Sequence, residues 1–140
     1  HPALHGLLQR PKPVETGTNE AAVRSSAVDV LAHPGLITSD HARLASENGV
    51  YLEVSARKGH SLTNGHVVRI AKAVGARMVL DSDAHEPEDL LNPELSRKIA
   101  KGAGLDDEEV HALLELNPKS LLTRLGFDAA LATGDPRNVA

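Results

Sequence analysis

The apolar run Met78-Val79-Leu80 is followed at once by Asp81, Asp83 and His85, so a buried-looking stretch ends in two carboxylates and an imidazole. On an extended backbone, residues two apart point the same way and lie about 7 Å from one another, which lets Asp83 and His85 share one metal ion or flank a pair. Neutral imidazole and carboxylate suit zinc, manganese or iron, and a chain without cysteine has no thiolate for a softer site. An Asp-x-His pair also arises by chance in surface loops; its place directly after an apolar strand favours the metal reading. His33 occupies an equivalent place, closing "VDVLAH" immediately before Pro34-Gly35.

Other polar residues admit more than one reading. Glu53 sits in the middle of "YLEVS", where an ionised carboxylate in a covered strand needs a partner. A salt bridge to Arg57 or Arg77 is one solution, and a role beside the site is the other. Asp81 reads as a structural residue that caps loop backbone. His60, in "KGHSLTNG", either reaches a bound anion from its loop or faces solvent. Asn64 reads first as a cap for the helix starting near Gly65. His41, His66 and His111 fall at helical positions and read as surface or partly packed side chains.

Several elements have to place these groups. "VDVLAH", "VYLEVSA" and "RMVLDSDAH" read as strands, and "NEAAVRSS", "TSDHARLASENG" and "HVVRIAKAVGA" as helices. Thr38 or Ser39 can cap the second helix, and Gly49 can take the left-handed conformation that stops it. Each strand-to-strand connection is long enough to hold a helix, so neighbouring strands are expected to be parallel with right-handed crossovers. In such α/β folds ligands bind beyond the C-terminal ends of the strands, where His33, Asp83 and His85 fall. Three further helices are expected in "NPELSRKIAKGAG", "DDEEVHALLEL" and "NPKSLLTRLG", the first and last opening on Asn-Pro. The proline-rich start, residues 1–18, reads as an irregular arm, 19–126 as the domain, and 127–140 as a weakly patterned tail.

With 140 residues the chain suits one domain but is short for a complete β/α barrel. A net charge of −4 gives no large cationic field for nucleic acid or acidic membranes. No apolar run approaches a membrane span and no signal peptide opens the chain, so the expected setting is the cytoplasm, with no membrane partner.

Taken in order, "VDVLAHPGLIT", "LASENGVYLEVSARKGHSLTNG" and "MVLDSDAH" resemble the C-terminal part of a PHP domain, the polymerase and histidinol phosphatase family. The resemblance runs over roughly residues 14 to 126 and is strongest to archaeal stand-alone proteins of histidinol-phosphatase type. It implies an α/β fold with parallel strands, the C-terminal portion of a distorted β/α barrel of about seven strands, TIM-like in its layout. It further implies two or three divalent ions, zinc, manganese or iron, at the C-terminal mouth, and hydrolysis of a small phosphorylated substrate by metal-activated water.

Matched position by position, His33 corresponds to a metal-ligand histidine, and Asp83 and His85 to the closing ligand pair. His5 stands near a further ligand position, although Leu7 replaces the family's glutamate there. Glu53 corresponds to a glutamate near the site that is not itself a ligand. His60 and Asn64 fall in a loop that can touch substrate, with His60 as a phosphate contact or proton donor. The family's opening His-x-His has no counterpart here. That half of the domain is therefore expected from a cleaved segment or another chain, because a parallel sheet would otherwise keep unpaired apolar edges; a shortened relative is the other reading. A competing reading is the PHP-related subunit of RNase P, which shares stretches like "DVLAHP" and binds RNA without metal catalysis.

Overall fold

A computed structural model describes residues 18–81 and 92–127. Three strands, β1 (Val30–Leu31), β2 (Tyr51–Ser55) and β3 (Met78–Asp81), form a parallel sheet in the order β1-β2-β3. Leu31 pairs with Leu52, and Leu52, Glu53, Val54 and Ser55 face Met78, Val79, Leu80 and Asp81 in turn. β2 is the central strand, and all five of its residues are buried. Among the described residues the sheet has three strands and does not close on itself.

Helices supply the crossovers. α1 (Thr18–Arg24) precedes β1, α2 (Ser39–Glu47) links β1 to β2, and a 3-10 turn (His60–Thr63) leads into α3 (Asn64–Val74) between β2 and β3. The side chain of Thr38 accepts the His41 N–H at 3.2 Å, which starts α2 where the sequence places its cap. Gly49 and Gly75, with φ of 68° and 74°, take the left-handed turns that let the chain leave α2 and α3 for the next strand.

Strand alternation sorts the core into two layers. Leu52 and Val54 point to the face covered by α2 and α3, where they meet Ala42, Val67, Ile70 and Ala71. Tyr51 points the other way, into a smaller cluster with Val30, Val79 and Leu121. Glu53, in phase with Tyr51, lies on this second face.

After β3 come α4 (Pro93–Gly102), α5 (Asp107–His111) and α6 (Asn117–Arg124). Asn92 caps α4 by accepting the Leu95 N–H at 2.7 Å, and Asp106 with Glu109 forms a reciprocal capping box at α5. Asn117-Pro118 departs from the expected fresh start. α5 runs into α6 through a π-helical segment, Ala112–Leu116, and Asn117 spends its side chain on the Met78 carbonyl at 2.8 Å instead of on a cap. The wider π turn takes up the clash and missing N–H that Pro118 would bring to a regular helix. Among the described residues no helix is long and apolar enough to cross a membrane.

Candidate functional site

β1 stops at Leu31, and two residues later His33 adopts a φ of 51°, the one positive value at a non-glycine position among the described residues. A side chain held there costs on the order of 1–3 kcal/mol, so the surroundings must enforce it. Two tethers do so. Asn19, from α1, donates its amide to the Pro34 carbonyl at 2.9 Å, and the Nε2 of His66, from α3, lies 2.7 Å from the Ile37 carbonyl. A carbonyl can only accept, so His66 carries its proton on Nε2. His66 therefore ties the loop after β1 to α3, which agrees with the partly packed reading of this histidine and gives it a specific partner.

So held, His33 is buried, and its Nδ1 lies 3.4 Å from Oε1 of Glu53, which is 1% exposed. That distance is long for an N–H···O bond. Neither Glu53 oxygen has a well-aligned hydrogen bond among the described residues. Burial pushes the Glu53 carboxyl above its ordinary range, His33 pulls it down, and Asp81 pushes it up again. Of the two readings of Glu53, the contact with His33 agrees with a place beside the site, and Arg77 donates to the Tyr51 hydroxyl at 3.2 Å.

His60 completes the group. Gly59, at φ 93°, turns the chain after β2 so that the His60 ring lies flat on that of His33, with centroids 3.8 Å apart and planes 15° from parallel. Two residues that are 27 positions apart by their numbers thus meet at the C-terminal ends of adjacent strands.

Asn64 is buried and points inward. Its Oδ1 accepts the Ser55 N–H at 3.0 Å, and its Nδ2 donates to the Ser55 carbonyl at 2.7 Å. This pair of hydrogen bonds to the last residue of β2 replaces the helix-cap reading and fixes the position of the His60 turn. Asn64 positions the loop, and its engaged side chain is a poor candidate for direct substrate contact.

The structure thus brings His33, His60 and Glu53 together. His5, Asp83 and His85 lie outside the described residues. Among the described residues no three His, Asp or Glu side chains converge as a metal-holding group. The donors present still fit a divalent cation in one respect: a carboxylate facing Nδ1 fixes the ring and leaves Nε2 as the ligand nitrogen, the usual support of a metal-binding histidine. The Glu53 contact, the Asn19 and His66 tethers and the ring stack are long-range, and residue spacing carries no signal for them.

The chain is 42% identical over 81% of its length to an uncharacterized protein of Methanocaldococcus jannaschii, covering 52% of that protein. It is 30% identical over 77% of its length to a probable phosphatase of Thermoanaerobacter sp., covering 50% of it. It is also 28% identical over 76% of its length to ribonuclease P protein component 3 of Methanosarcina mazei, covering 51% of it. The chain therefore spans about half the length of the curated relatives it matches. No family model and no solved structure matches it.

Proposed function

We propose that this chain belongs to the PHP family and contributes the C-terminal half of a metal-dependent phosphoesterase site. The observation that carries the reading is the buried contact of His33 Nδ1 with Glu53 beneath the His60 ring, at the end of the sheet where α/β proteins bind ligands. Similarity to proteins named probable phosphatases supports it.

In this reading His33, Asp83 and His85 hold divalent ions, with His5 as a further ligand. Zinc, manganese or iron suits these nitrogen and oxygen donors. When bound, two or three such ions supply Lewis-acid activation of water and neutralise charge developing on the phosphoryl group. Glu53 holds the His33 proton on Nδ1 and so leaves ligation to Nε2. His60, stacked on His33, contacts the phosphate or donates a proton to the departing oxygen; an imidazole titrates in the right range for either task. The substrate is a small phosphorylated compound. The remaining strands of the barrel and the His-x-His ligands come from the other half of the domain, as a preceding segment or a separate chain, and the protein works in the cytoplasm.

A second reading, an RNA-binding subunit without metal catalysis, draws on the similarity to ribonuclease P protein component 3. One experiment separates the two. Release of phosphate from small phosphomonoesters in added manganese or zinc, abolished by His33→Ala, supports the esterase. No turnover, together with RNA binding that weakens steeply as salt rises, supports the RNA-binding subunit instead.

A further inference from the structure

The opposite end of the sheet carries a second concentration of polar chemistry. Val28-Asp29, Gly49-Val50 and Ala76-Arg77 each enter a strand there, away from the His33 and His60 loops. Two adjoining cavities open among them. One, of about 230 Å³, is lined by Ser46, Gly49, Gly75, Arg77 and Arg124 among others; the second, of about 430 Å³, shares Gly49 and Arg124 and adds Arg24, Ser25 and Asn48.

The two arginines of the smaller cavity converge on one side chain. Arg124 places its guanidinium carbon 5.0 Å from the centre of the Tyr51 ring, and Arg77 places its own at 5.9 Å while donating to the Tyr51 hydroxyl. Arg124 is anchored by donating to the Gly49 carbonyl, and it meets Asp29 at 4.0 Å. A Cβ on Gly49 would make only ordinary contact with that guanidinium, at 3.5 Å, and it is the φ of 68° that calls for glycine here. Among the described residues Arg77 has no carboxylate partner closer than the ion-pair limit, and its side chain is exposed. Two like charges drawn towards one buried phenol, with a single carboxylate at the edge, leave net positive potential in a cavity large enough for a small anion.

We propose that Arg77 and Arg124 form a binding site for a phosphate group at the N-terminal end of the sheet, separate from the His33–His60–Glu53 site. Planar guanidinium forks match phosphate oxygens in pairs, Arg124 is already oriented by Gly49, and Ser46 borders the same cavity with its hydroxyl donated to the Gly75 carbonyl at 3.2 Å. The phosphate belongs either to a free compound or to a nucleic-acid backbone.

Tyr51 is the one tyrosine of a chain without tryptophan, so its fluorescence reports this site directly. The whole chain is titrated with pyrophosphate and, separately, with a short single-stranded RNA, alongside Arg77→Gln and Arg77→Lys. Arg77 is exposed, and unchanged thermal melts establish that its variants fold. The expected result is a saturable change in Tyr51 emission that weakens about tenfold or more in Arg77→Gln and is partly kept in Arg77→Lys. Saturation by pyrophosphate assigns a free phosphate compound, and saturation by RNA alone assigns a backbone. A response that never saturates, or that is equal in wild type and Arg77→Gln, overturns the proposal.

Discussion

His33 Nδ1 lies 3.4 Å from Glu53 Oε1, in a contact buried on both sides. Neither residue reaches this arrangement through local sequence. β2 carries Glu53 through the centre of the sheet, and β1 delivers His33 through a left-handed turn that two side chains from neighbouring helices hold in place. A metal role for His33 depends on that pairing.

Replacing Glu53 by Gln keeps an acceptor near Nδ1 but removes its charge, whereas Ala removes both. Loss of such a supporting carboxylate costs about 10- to 100-fold in metal affinity. Calorimetric titration with manganese or zinc is expected to rank wild type above Glu53→Gln and Glu53→Ala last. Equal affinities in all three would remove Glu53 from the site.

Burial raises the Glu53 carboxyl above its ordinary 4.5. The folded chain then keeps a proton that the unfolded chain has released, so this group's contribution is fully present below pH 4.5 and is lost as pH rises through the folded value. Urea midpoints of chelator-treated protein should fall over that interval in wild type and fall less in Glu53→Gln. A steeper decline in the variant would reverse the sign argued for Glu53.

The φ of 51° at His33 predicts an order among substitutions. Glycine occupies the left-handed region freely, while alanine retains a penalty of about 1–2 kcal/mol. His33→Gly is therefore expected to melt above His33→Ala although both lose the imidazole. The reverse order would indicate that the turn relaxes once the ring is gone.

Asn64→Ala strands the Ser55 N–H and carbonyl in a buried setting, with an expected loss of about 2–4 kcal/mol from two unsatisfied groups. Asn64→Asp keeps the acceptor for the Ser55 N–H but sets a carboxylate against its carbonyl, so it should also destabilise. Equilibrium urea unfolding measures both, and a change under about 0.5 kcal/mol for Asn64→Ala would place Asn64 among ordinary surface positions.

Much of the scaffold was legible from pattern. The three strands, the helices between them and the parallel order follow from apolar spacing and from caps such as Thr38 and Asn92, each of which acts over three residues. Asn117-Pro118 misled because a cap signal is local, while the Met78 carbonyl that claims Asn117 comes from β3. The site was legible only in part. His33 could be placed at a strand end, but the stacking of His60 on it depends on how two loops meet. Asn64 read as a helix cap, and only the register of β2 against α3 brings its amide to Ser55.

Metal content tests the assignment of His33 and Asp83 most directly. Protein purified without chelator, analysed by elemental mass spectrometry beside His33→Ala and Asp83→Asn, is expected to carry at least one zinc, manganese or iron ion per chain, with that content sharply reduced in both variants. Less than one transition-metal ion per wild-type chain, or content unaffected by His33→Ala, would contradict the assignment of His33 and its Glu53 partner to a metal site.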